Sequence, residues 1–125
     1  MSDFLQTMAT ASAERAAAVS LKFSSADFDK PLLPVSTASF GIIAEIKERS
    51  PAEGDLRLPD NDRLTQARRY IDGGAAAISV LTEPTRFDGE LSHLESVAAA
   101  APETPVMRKD FLVDPVQVSE ARKAG

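Results

Sequence analysis

The sequence predicts an α/β fold, a leading helix followed by about three parallel strand–helix units with open sheet edges. Three observations carry this. Short apolar runs at 41–46 (GIIAEI), 75–81 (AAAISVL) and 105–107 (PVM) begin 34 and 30 residues apart. Runs this short and this continuously apolar suit parallel strands covered on both faces. An amphipathic stretch follows each run, and that alternation argues for a parallel sheet with helical crossovers. Composition agrees with one modest core: of 125 residues 43% are hydrophobic, 26% are charged, and 20 are alanine.

The elements follow in order. Residues 1–23 read as a helix, with Phe4, Leu5, Met8 and Ala11 at three- and four-residue intervals and Ala16, Ala17 and Ala18 beyond them. Alanine loses least on entering a helix. Residues 24–39 read as an irregular connection, because Ser24, Ser25, Pro31, Pro34, Ser36 and Thr37 break the pattern. Residues 40–125 then carry one unbroken rhythm, so the whole chain is expected to be a single domain. Leu64, Ala67 and Ile71 form the stripe of the first crossover helix, stopped by Gly73 and Gly74. Leu91, Leu94, Val97 and Ala98 form the second, ended by Pro102. The third opens on Asp114 as cap, Pro115 at the first helical position and Gln117 three after the cap, with Gly125 as its stop. A repeat near 30 residues fits a (β/α)₈ barrel, which needs about 250 residues, and equally a doubly wound sheet. Periodicity alone leaves both open.

Composition excludes several functions. A net charge of −5 and a pI near 4.8 give no basic face for nucleic acid. The absence of cysteine removes disulfides, thiolate nucleophiles and Cys-ligated zinc, and one histidine argues against a histidine metal cage or a Ser-His-Asp triad. No run reaches the ~18 apolar residues of a membrane span, and the N-terminus has no basic-then-apolar leader, so a cytoplasmic location is the expectation.

In parallel α/β folds the chemistry gathers at the carboxyl ends of the strands. After the first run stand Glu45, Lys47, Ser50, Pro51 and Gly54. Glu45 and Lys47 are two apart, so in a strand they share one face, which in a barrel is the lumen. Opposite charges there are costly unless paired, so a structural ion pair is as good a reading as a functional one. The loop at 82–89 (TEPTRFDG) has ordinary loop composition with one aromatic. The third run ends in Arg108, Lys109, Asp110 and Phe111. A lysine at a strand mouth can act as a general acid, and a solvated charge cluster is the structural alternative. His93 reads as a surface residue beside the Leu91 and Leu94 stripe. No glycine-rich dinucleotide or phosphate loop is present in the sequence.

Three ordered blocks resemble one family. Residues 43–47 (IAEIK) with Ser50, Pro51 and Gly54 resemble the first-strand signature of indole-3-glycerol phosphate synthase. Residues 79–83 (SVLTE) with Phe87, Asp88, Gly89 and Leu91 resemble its second strand and loop. Residues 108–111 (RKDF) with Asp114, Pro115, Glu120, Ala121 and Arg122 resemble its third strand and helix. The resemblance implies a (β/α)₈ barrel with an additional N-terminal helix. It implies ring closure, then loss of carbon dioxide and water, on 1-(2-carboxyphenylamino)-1-deoxyribulose 5-phosphate in tryptophan biosynthesis, with no metal or organic cofactor. Lys109 matches the family's general acid, Lys47 a lysine that holds the substrate carboxylate, and Glu45 a glutamate that orients the lysines. Ser50 and Pro51 would lie in the first loop near the carboxylate, and Phe87 and Phe111 would pack the anthranilate ring.

Glu48 and Glu90 stand where the family commonly has a basic residue and a serine, so both are expected to weaken anion binding. The later catalytic glutamate, the asparagine and the phosphate-binding loops of the family have no counterpart in residues 1–125. Three strands leave two parallel edges unpaired, and such edges recruit other chains, so a homo-oligomer is expected. The partners expected are thus an anionic phosphorylated small molecule and a second copy of the chain, without nucleic acid or membrane.

Overall fold

The computed structural model describes residues 2–125, so Met1, the first residue of the expected leading helix, lies outside the described residues. Helix α1 spans Ser2–Ala17. It is followed by α2 (Ser25–Phe28), β1 (Ile43–Ile46), β2 (Arg49–Ser50), β3 (Gly54–Asp55) and α3 (Arg63–Asp72). Then come β4 (Ala77–Leu81), α4 (Pro84–Phe87), α5 (Leu91–Ala100), β5 (Val106–Lys109) and α6 (Pro115–Ala124). The main sheet has the order β1-β4-β5, all parallel, so the three apolar runs are neighbouring strands. This is the expected helix plus three parallel βα units, with β1 and β5 as open edges.

The N-terminal part differs from expectation in two ways. The leading helix stops at Ala17 rather than at residue 23. After the three alanines the chain offers Val19 and Ser20, poorer helix formers, and Leu21 is 48% exposed, so no packing compensates. The connection at 24–39 is not wholly irregular, since Ser24 and Asp27 form a capping box that closes the single turn α2.

The core lies between the sheet and its helices. Ile46, Ile78 and Val80 point from the strands onto Ala67 of α3, Leu94 and Val97 of α5, and Ala124 of α6. Each such aliphatic contributes about 1.5–3 kcal/mol on burial. Alternation sends the remaining strand residues to the other face, where Ile43 is 55% and Met107 42% exposed. Register sets the rows on that face: Glu45 is level with Ser79, Ser79 with Met107, and Leu81 with Lys109. Helix α1 is held by Met8, Ser12 and Ala16, a buried stripe at four-residue spacing.

Candidate functional site

Strand β1 ends at Ile46 and delivers Glu45 and Lys47 to the face away from the helices. Lys47 Nζ lies 3.7 Å from Glu45 Oε1 and 3.6 Å from Glu53 Oε2. Ser79 Oγ, one strand over, donates to Glu45 Oε2 at 3.3 Å. The Glu45 backbone is fixed from the opposite face, where Tyr70 Oη donates to its carbonyl at 2.8 Å. Lys109 ends β5 on the same face, exposed, and makes no ion pair with the described residues. β1 and β5 are two strands apart, so the lysines are separated by roughly 9–10 Å across the sheet.

The residues flanking Lys109 are not a solvated charge cluster. Arg108 and Asp110 side chains are 4% and 0% exposed. Arg108 points to the helix side, donating to Gln117 O at 2.8 Å and Glu120 Oε2 at 2.9 Å. Asp110 accepts a two-pronged bond from Arg15 of α1 at 3.0 and 2.8 Å, and a third from Thr82 Oγ1 at 2.7 Å. Burial works against its charge, but the bonds from Arg15 and Thr82 and the Arg15 cation outweigh it, so the carboxyl is held below the usual aspartate range. Lys109 is thereby the one member of the triplet released to the open face.

Ser50 is buried and its hydroxyl is occupied within the first loop: it accepts from Glu53 N at 3.0 Å and donates to Glu53 Oε2 at 3.3 Å. Pro51 is exposed at the tip. Phe87 and Phe111 face one another with ring centroids 6.3 Å apart. Phe4 of α1 meets Phe111 edge-on at 6.2 Å, making an aromatic trio that joins α1 to the two loops.

The second loop is built around its glycine. A Cβ on Gly89 would lie 2.5 Å from Leu81 O and 2.7 Å from Thr82 Cα, so no other residue fits without backbone movement. Glu83, fully buried, caps α4 by accepting from Thr85 N and Arg86 N at 2.9 and 2.8 Å. The ordinary-looking loop is therefore a rigid mount for Phe87.

Glu48 does not face the lysines. It alternates with Lys47, and its carboxylate accepts from Arg63 Nη2 at 2.6 Å and Arg57 Nε at 3.4 Å. Its charge is matched there, contrary to the expected weakening of anion binding. Glu90 lies at the start of α5 with its carboxylate on Ser92 Oγ at 2.9 Å, where the helix dipole favours a negative charge. His93 is half-buried rather than on the surface, lining a small cavity with Ile46, Glu48, Arg63 and Phe87. Burial, then the Arg63 cation, pushes its imidazole below the ordinary histidine value.

Sequence reasoning missed Arg15, Thr82 and Asp110, which join three elements beneath Lys109. The available signal was alternation: in a strand ending Arg-Lys-Asp, the two residues beside an outward lysine must point inward, and buried charges need partners. Among the described residues no group of three or more His, Asp or Glu is placed to hold a metal ion, and no helix is long and apolar enough to cross a membrane.

Known proteins resemble this chain in sequence. A sequence model of the indole-3-glycerol phosphate synthase family matches residues 4–125. A relative from a Nocardioides species that bears the name indole-3-glycerol phosphate synthase is 51% identical over 120 residues, 90% of this chain and 45% of the relative. One of the same name from Leifsonia xyli is 58% identical over 85 residues, 67% of this chain and 32% of the relative. A third, from Methanopyrus kandleri, is 49% identical over 92 residues, 73% and 36% of the two chains. The chain spans less than half the length of these relatives. With the match running through α1 and all three βα units, the chain belongs to the indole-3-glycerol phosphate synthase family.

Proposed function

We propose that these residues form the first three βα units of a site that closes the indole ring of 1-(2-carboxyphenylamino)-1-deoxyribulose 5-phosphate and expels carbon dioxide and water. The single observation that carries this reading is the register, which puts Glu45, Lys47 and Lys109 on one open face of three adjacent strands. In this reading Lys109, which makes no ion pair among the described residues, protonates the carbonyl oxygen as the aromatic carbon attacks, and the hydroxyl later leaves as water. Lys47 binds the carboxylate that departs as carbon dioxide. Loss of that carbon dioxide restores the aromatic ring, and Glu45, held by Ser79, orients Lys47 and takes the proton that leaves the methylene carbon beside the nitrogen as water departs. Phe87 and Phe111 give the anthranilate ring an apolar seat, and Ser50 and Pro51 border its carboxylate. No metal or organic cofactor is needed for any of these steps.

A second reading is favoured by the open edges of β1 and β5 and by the span of less than half the relatives' length. In it, residues 1–125 are a self-associating half-barrel module that does not turn over the substrate alone. A positioned general acid supplies about 10²–10⁴-fold, far short of a full enzymatic acceleration. We hold this for the isolated chain, as a homo-oligomer in the cytoplasm, and assign the lyase activity to a completed barrel. Expression in a tryptophan auxotroph lacking the synthase tests the pair. Soluble chain without growth supports the module. Growth that disappears with K109A makes the isolated chain an enzyme, and growth that survives K109A contradicts the assignment of the acid.

A further inference from the structure

The first loop places a second carboxylate on the lysine that the proposed chemistry needs free. Lys47 Nζ sits between Glu45, at 3.7 Å, and Glu53, at 3.6 Å. The two carboxylates are held differently. Glu45 belongs to β1 and is tied to Ser79 on the neighbouring strand. Glu53 belongs to the turn of the two-stranded β2–β3 hairpin, and its side chain is 59% exposed. Gly54, at φ +72°, lets the chain turn back there, and Ser50 Oγ grips both the Glu53 amide and Oε2, aiming the carboxylate over the strand end. Glu45 is thus a fixed partner and Glu53 an exchangeable one.

We infer that Glu53 is a built-in competitor for the substrate carboxylate, a latch that occupies Lys47 and Ser50 Oγ until an incoming carboxylate displaces it. The inference rests on the reading of Lys47 given above and adds a residue to it. The chemistry is a like-for-like exchange: a carboxylate leaves an ammonium and a hydroxyl, and another takes both. The pair is long and half-exposed, and such contacts are weak, so displacement is easy and the latch tunes affinity rather than blocking the site. Its release also frees the hairpin, coupling the order of the first loop to occupancy.

The test uses the 125-residue chain, with anthranilate as the carboxylate probe and its own fluorescence as the signal. E53Q keeps a side chain that can accept from Ser50 and removes only the charge. It is expected to bind anthranilate about 1.5- to 5-fold more tightly than the parent. E53D is expected to retain the parent affinity, and in the background of K47M the gain from E53Q should vanish. A second readout needs no ligand: acetylation of Lys47 by acetic anhydride, followed by mass spectrometry and normalised to Lys109, should quicken by a similar factor in E53Q. Unchanged Lys47 labelling in folded E53Q overturns the latch, as does an affinity gain that persists with K47M, or faster labelling with unchanged anthranilate affinity. Faster labelling with no anthranilate bound by parent or variant leaves the Glu53–Lys47 contact standing but overturns the reading of Lys47 as a carboxylate site, and the competition with it.

Discussion

Asp110 shows how one buried carboxylate organises the neighbourhood of a catalytic candidate. It accepts from Arg15, Thr82, Arg108 and its neighbour Phe111 N, and its side chain has no exposed surface. Removing one partner of a buried ion pair leaves the other uncompensated, so D110A is expected to destabilise the chain by about 3–5 kcal/mol in urea denaturation. The pH dependence has a definite sign. The folded carboxyl is held below the ordinary value of 3.8, so its contribution is complete above that value and is lost as pH falls below it. Acid titration of stability should therefore be flatter below that pH for D110N than for the parent. Lys109 differs in kind: it is exposed and makes no ion pair among the described residues. K109M should leave the urea midpoint nearly unchanged, within about 0.5 kcal/mol, as expected of a surface substitution.

Among the elements, the loops carry more structure than their composition suggests. Arg57 Nη2 reaches Asp88 Oδ2 at 2.8 Å and Arg49 Nη1 reaches Asp88 Oδ1 at 3.5 Å, so the first loop is clasped to the second. Asp88 itself adopts φ +52°, a left-handed conformation that Asp tolerates, and Gly89 follows where a Cβ has no room. G89A is expected to cost at least about 2 kcal/mol by thermal denaturation, because backbone rather than a flexible side chain must move. The strands and crossover helices were legible in the sequence because each has a period: apolar runs for strands covered by helices, three-and-four spacing for the helices, and Asp114, Pro115 and Gln117 for the start of α6. What was not legible depends on contacts distant in sequence. Ser12 of α1 donates to Phe111 O and accepts from Gln117 Nε2, so a polar residue sits at the centre of a buried stripe that apolar counting could not find. The end of α1 at Ala17 is likewise decided by where packing stops. The lysine–glutamate face was legible from alternation, and the Glu53 contact was not, because it depends on a hairpin only two residues wide on each side.

At the scale of the whole molecule, the chain is built as a partial (β/α)₈ barrel: three parallel βα units with α1 packed against them. Phe40, Ile42 and Ile43 beside β1 are 94%, 61% and 55% exposed, and Met107 on β5 is 42% exposed. An apolar open face beside unpaired strand edges seeks partners. Multi-angle light scattering of the 125-residue chain at micromolar concentration should report a dimer or larger species, and a compact monomer would count against self-association. The central claim is that the cations of the first and third strands serve one anionic ligand. Its most direct test is NMR of the isotopically dimethylated lysines, titrated with the non-reactive analogue in which the substrate ketone is reduced to an alcohol. The signals of Lys47 and Lys109 are expected to shift together along one binding curve, whereas a response from only one of them, or from neither while other surface lysines move, would contradict a shared site.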